Sequence, residues 1–311
     1  MVGMRKKLRA GTRGSRLARR QTALIAAEIA DKYPELGIEE VIISTKGDQD
    51  RRPFQELVIE GETGLFAKEL EKALLSGEID FAVHSLKDLP VELPSGLTLG
   101  AIPERGLPYD AFVGRERTAL QDLAPGSLLG TGSCRRAFQL RHFYPHLKIT
   151  DMRGNLDTRL RKLADGDVDA LVLAAAGLQR LGYRDGHDFF LIPAQTCLPA
   201  PGQGALALEI RRGDDLLQDI CVKLDDYQTR QAVNAERGLL QILGGGCQLP
   251  LGALARVDGG TLTLQGTVAA ADGSRVIRAE TSCPARNPRQ AGRLVAEELL
   301  EKGAKEILAC E

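Results

Sequence analysis

The sequence predicts an α/β protein, with two similarly built α/β lobes followed by a small C-terminal α+β domain. Length is the first observation: 311 residues exceed what one ordinary core holds, and a soft prior gives two or three domains. A repeated grammar is the second. ELEKALLSGEIDFAVHS (69–85) resembles RLRKLADGDVDALVLAA (159–175), each a helical run, Gly, an acidic residue, an apolar residue, Asp, then an apolar strand. The third is a change after residue 222, where apolar and polar residues begin to alternate around Asp-Gly turns.

Taken in order, Arg13 lies in Gly11-Thr-Arg-Gly-Ser15, just ahead of a helix, and Val41–Ser44 is a short β-branched run. Residues 46–63 lack periodicity and read as a mobile surface loop. Helical spacing over 64–76 stops before Gly77, and Asp80–His84 is then a buried strand. Residues 228–242 read as one helix leading into the glycine-rich run Leu243–Pro250. Gly252–Val257, Thr261–Ala269 and Arg275–Glu280 read as antiparallel strands turning at 258–259 and 272–273, and a last helix covers Asn287–Lys302.

Composition excludes several classes. A net charge of −1 gives no global field for nucleic acid or membrane. Aromatic residues are 4% with no Trp, which argues against base-stacking platforms. The six cysteines form no C-x-x-C pair and no Cys/His cluster with zinc spacing, so no metal is expected. No stretch approaches 18 consecutive apolar residues, and the basic start lacks an apolar run behind it. The expectation is a cytoplasmic, disulfide-free monomer. Its basic residues are 29 Arg against 12 Lys, and Arg offers the planar fork that pairs bidentately with carboxylate or phosphate.

Candidate chemistry begins at Cys247, which follows three glycines. Those glycines strip away every side chain that would shield the thiol. Taken alone, Cys247 fits a small buried apolar side chain as well as it fits a carrier. Arg13, Arg135, Arg136, Arg153, Arg159 and Arg180 sit in Gly-, Ser- or Thr-rich turns or near helix starts. There a backbone N–H cluster and a fork can share an anion. Singly, each suits an ordinary ion-paired arginine better; together they suggest a cleft for a polyanion. Gly130-Thr-Gly-Ser133 mimics a dinucleotide fingerprint, but Arg135 stands where its third glycine belongs. Asp88 comes just after a buried strand, beside Lys87, where α/β sheets place functional groups. Without context, a helix cap or turn Asp is the better reading.

Seven segments in register resemble the porphobilinogen deaminase (hydroxymethylbilane synthase) family. They are GTRGSRLA (11–18), GLFAKELEKALL (64–75), DFAVHSLKDLPVELPSGL (80–97), GTGSCRRAFQL (130–140), RGNLDTRLRKL (153–163), LPAPGQGALALEIR (198–211) and GGGCQLPLGA (244–253). The resemblance implies two periplasmic-binding-protein-like α/β lobes flanking a cleft, plus the small α+β domain. Domain 1 would be 1–103 with 199–221, domain 2 would be 104–198, and domain 3 would be 222–311. It implies a transferase that joins four porphobilinogen molecules head to tail with loss of ammonia. The chain would grow on a dipyrromethane cofactor attached through Cys247, and hydrolysis would release hydroxymethylbilane.

By motif position, Lys87, Ser133, Arg135, Arg136 and Arg159 would hold cofactor carboxylates. Arg13, Ser15, Arg153, Arg180 and Gln203 would serve substrate and growing chain. Asp88 would be the catalytic carboxylate, assisting departure of the amine and steadying cationic pyrrole species. Ile59 and Thr63 stand where the family commonly has lysines, and Gly132 and Cys134 replace a common Ser-Ser-Leu pattern. The alternative is a non-catalytic two-lobed binder of a small polycarboxylate. A cysteine acyl-transferase ranks last, because no His lies near Cys247 in sequence to activate it.

Overall fold

The structure is a computed structural model that describes residues 7–44, 67–115, 119–244 and 249–309. The loop expected at 46–63 and the cysteine at 247 lie outside the described residues. The chain divides into two units, residues 1–105 with 205–230, and residues 106–204 with 231–311.

In the first unit, β1 (Lys7–Thr12) runs into α1 (Arg16–Lys32), started by Ser15, whose hydroxyl accepts from Ala18 N at 3.3 Å. β2 (Gly37–Ile42) begins earlier than the β-branched run suggested, because parallel pairing with β1 covers its whole length. α2 (Lys68–Leu75) ends at Gly77, whose φ of +75° stops it, and β3 (Phe81–Ser85) follows. β4 (Leu97–Ala101), β10 (Leu206–Arg211) and α6 (Asp215–Leu224) complete the lobe. The sheet order is β2-β1-β3-β10-β4, with β1, β2 and β3 parallel and β10 antiparallel to both neighbours.

The second unit repeats this plan. β5 (Asp110–Gly114), β6 (Leu128–Gly130), β7 (Lys148–Thr150), β8 (Ala170–Ala174) and β9 (Phe190–Leu191) assemble as β7-β6-β8-β5-β9. Here β6, β7 and β8 are parallel, and β5 is the antiparallel strand. Helices α3 (Cys134–Phe143), α4 (Leu156–Ala164) and α5 (Ala175–Arg180) connect them. In each sheet, the antiparallel strand is the one laid down just after the chain leaves the other unit.

The repeated Asp has one structural job in both lobes. Asp80 accepts from Arg9 N at 2.8 Å, donates its own N–H to Arg9 O, and receives Arg211 Nη2 at 3.3 Å. Asp169 accepts from Leu128 N at 2.8 Å, donates to Leu128 O, and receives Arg115 Nη2 at 2.9 Å. Each carboxylate thus pins the neighbouring parallel strand, β1 or β6, and an arginine from the crossing strand or its immediate end.

The C-terminal part forms an antiparallel sheet of β11 (Leu251–Asp258), β12 (Thr261–Ala269) and β13 (Val276–Pro284). Against it pack α7 (Tyr227–Ile242), α8 (Pro288–Glu301) and α9 (Ala304–Ala309), through a core that includes Leu239, Leu264, Val295 and Leu299. Gly266 makes this close packing possible: a Cβ there would sit 2.5 Å from Val295 Cγ1. The domain is tied to the second lobe's 197–204 segment. Ala253 N donates to Pro199 O at 2.8 Å, and the buried Glu236 accepts from Gly202 N at 2.7 Å and from Ala255 N at 2.8 Å.

Candidate functional site

In the first unit, the carboxyl ends of parallel strands β1 and β3 carry the candidate groups, the usual place for ligands in such sheets. Thr12 ends β1, and Arg13 and Ser15 follow it. β3 runs straight into a 3-10 turn, Leu86–Asp88, whose Leu86 is fully buried while Lys87 is half-buried and Asp88 exposed. The turn is anchored by Leu86 N donating to Ala205 O, and by Gln21 Nε2 of α1 donating to Ser85 Oγ at 3.0 Å. Arg13, Ser15, Lys87 and Asp88 therefore sit on one edge of one sheet.

In the second unit the strand ends carry guanidinium groups. β6 leads to Ser133, which begins α3 with no side-chain cap bond, so its hydroxyl is not spent on the helix. β7 leads to Arg153, whose Nε donates to Asp151 at 2.9 Å, and Arg159 Nε donates to Gly154 O at 2.8 Å. The turn between them needs Gly154, whose φ is +110°. Arg180, ending α5, donates to Gly204 O at 2.6 Å, and burial pushes its guanidinium down to about 10.

Arg135 and Arg136 are placed differently from what their turn context suggested. Both point into the lobe, 3% and 5% exposed, and converge on the fully buried Asp110. Arg135 Nη1 lies 2.6 Å from Asp110 Oδ2, and Arg136 Nε lies 2.8 Å from Oδ1. Their remaining donors reach Leu198 O and Val172 O. Gln203, also fully buried, spends its amide on Asp110 Oδ1 at 2.9 Å and Pro108 O at 2.8 Å, and accepts from Arg136. Burial alone would raise the Asp110 carboxyl; the two guanidiniums overturn that and hold it well below the usual carboxylate range. Two guanidiniums against one carboxylate leave this node net positive. Arg135 Nε is a buried donor without an acceptor.

Sequence reasoning missed Asp110 and its neighbour Cys197, whose thiol donates to Asp110 Oδ2 at 3.3 Å and is pushed up to about 12 by burial. The available signal was a charged residue opening the apolar run Asp110–Val113. Among the described residues, no group of three His, Cys, Asp or Glu is placed to hold a metal, and no helix is long and apolar enough to cross a membrane.

An acidic cofactor fits this donor set: the uncommitted Ser133 hydroxyl, the unpartnered Arg135 Nε and the positive node all favour carboxylates. Fold and strand ends together define a protein with two α/β lobes and a third domain, with an exposed carboxylate at the strand ends of the first lobe and guanidinium groups at those of the second. The model of the "Porphobilinogen deaminase, dipyromethane cofactor binding domain" matches residues 8–219, and that of the "Porphobilinogen deaminase, C-terminal domain" matches 230–301. The chain belongs to the porphobilinogen deaminase family. The porphobilinogen deaminase of Thermus thermophilus is 46% identical over 300 residues, covering 96% of this chain and 97% of its own. That of Desulforudis audaxviator is 47% identical over 306 residues, with 98% of each chain covered. Among solved structures, the methionine binding protein MetQ superposes with a TM-score of 0.46 at 14% identity, covering 73% of this chain and 91% of its own.

Proposed function

We propose that this chain joins four porphobilinogen molecules head to tail on a dipyrromethane cofactor carried by the Cys247 sulfur. Ammonia leaves at each addition, and hydrolysis releases hydroxymethylbilane. One observation carries the reading: the stretch matched by the family's cofactor-binding model carries Lys87 and Asp88 after β3 in one unit and Ser133, Arg153, Arg159 and Arg180 after β6, β7 and β8 in the other. When bound, the cofactor supplies the pyrrole carbon to which the first substrate is joined.

Lys87, Ser133 and Arg159 hold its carboxylates, and the Arg135–Arg136–Asp110 node adds positive charge to the second lobe. Gln203 keeps that node in register. Arg13, Ser15, Arg153 and Arg180 hold the acetate and propionate of incoming substrate, each charge-assisted bond contributing about 1.5–3 kcal/mol. Asp88 passes a proton to the departing amine and steadies the positive charge that develops on the substrate. The protein works as a cytoplasmic monomer. Cys134, Cys197, Cys221 and Cys283 form no disulfide, which suits a reducing compartment, and sedimentation at the mass of one chain tests the oligomeric state.

Intact mass and ammonia release test the chemistry. Wild type carries a two-pyrrole increment that Cys247→Ser loses. Asp88→Ala keeps the increment but releases ammonia about 10²–10⁴-fold more slowly. An unmodified, fully active wild type overturns the cofactor assignment. Near-normal ammonia release from Asp88→Ala overturns the role of the carboxylate. Ligand retention without any turnover by wild type favours the non-catalytic binder.

A further inference from the structure

Beneath the Lys87–Asp88 turn lies a set of ionisable side chains that the chemistry above does not use. β3 and β10 pair antiparallel with His84 opposite Ala207 and Ala82 opposite Glu209, so His84 and Glu209 are diagonal neighbours on one face of the sheet. Helix α2 covers that face and adds Glu71. All three are buried, with 7% of Glu71, 7% of His84 and 0% of Glu209 exposed. His84 Nε2 and Glu209 Oε2 approach to 3.0 Å, off the line of a directed hydrogen bond. Glu71 Oε1 and both Glu209 oxygens are likewise buried without a hydrogen-bond partner. Unpartnered buried carboxylate oxygens are costly.

The remaining charges near this face are accounted for. Lys68 and Glu69 flank Glu71 on α2. Farther along, Arg211 is taken by the carbonyls of Leu74 and Ile79 and by Asp80, and Arg9 by Asp80 and Gly77 O. β4 adds no charge there: Leu99 pairs with Glu209 and Leu97 with Arg211.

We propose that Glu71, His84 and Glu209 form a proton-holding support that positions the Lys87–Asp88 turn for turnover. Two buried carboxyl groups share one imidazole neighbour, so the cluster carries least like charge while Glu71 keeps its proton. Burial, then the charge of Glu209, pushes the Glu71 carboxyl up. Its folded value lies above its unfolded one, so its contribution is full below the unfolded value and is lost as pH rises through the folded one. A second charge then appears beside Glu209, and the strand that ends in the turn loosens from its α2 side. His84, Glu71 and Glu209 are positioning residues, which act through Asp88 and touch no substrate.

The proposal rests on the assignment of Asp88 above, so its test has two arms. In the activity arm, His84→Leu lowers kcat for porphobilinogen about tenfold with KM within about twofold. His84→Gln, which keeps a donor near the Nε2 position, restores most of it, and Glu71→Gln moves the alkaline limb of the kcat profile upward. The second arm needs no turnover. The melting temperature of Glu71→Gln gains on wild type as pH rises from 4.5 to 8, and the protection of the Leu86 and Leu89 amides, taken relative to the intrinsic exchange rate at each pH, falls in wild type over the same range but not in the variant. Equal kcat in His84→Leu and His84→Gln overturns the proposal, as does a pH-independent difference between Glu71→Gln and wild type. Inactive wild type with the expected exchange behaviour sinks the function and leaves the support standing.

Discussion

Asp110 holds two arginines that their turn context offered as partners for an anion. Removing its charge leaves two buried guanidiniums facing each other. We expect Asp110→Asn to cost about 3–5 kcal/mol, read by urea unfolding. The sign with pH follows from the depressed folded value. The Asp110 contribution is complete above the ordinary carboxylate range near 4 and is lost as pH falls below it. Wild type therefore loses more stability than Asp110→Asn below about pH 4. The same geometry separates the arginines: Arg153→Leu weakens substrate binding with little change in stability, whereas Arg135→Leu lowers both. Arg135, Arg136, Arg153 and Arg159 were all legible as an anion-directed set. Their directions were not, because the partner that turns two of them inward lies 25 and 26 residues away in the chain. Turn chemistry carries no information about it.

At the scale of elements, the repeated helix–Gly–strand segment was readable, and with it the fact of two like lobes. Asp80 and Asp169 explain why the repeat extends to that one polar residue: it fastens strand to strand in both places. The two fastenings differ in burial, with side-chain exposures of 3% and 36%. Asp80→Asn should cost about 3 kcal/mol and Asp169→Asn less than half as much. Amide exchange checks this through faster opening of β1 in the first variant than of β6 in the second. The crossing strands were harder to read. Leu206–Arg211 buries both faces, and Glu209 inside it reads as a solvent-facing position until His84 is brought beside it. Only the fold supplies that neighbour.

For the molecule as a whole, the third domain's alternating strands and Asp-Gly turns were legible; its attachment was not. That attachment rests on close approach of backbone. A Cβ at Gly252 would lie 2.7 Å from Leu198 O and 2.8 Å from Thr267 Cγ2. Gly252→Ala should therefore cost about 1–3 kcal/mol and speed proteolysis at the 197–204 segment, checked by limited digestion and thermal melting.

The glycine-rich stretch bearing Cys247 is flanked by Leu243 and Leu249, both packed in the core of the third domain, and two residues after Leu249 comes the strand bound to Pro199 and Glu236. If a chain grows on that sulfur, as proposed, both ends of the stretch that bears it are fixed by the core of the third domain.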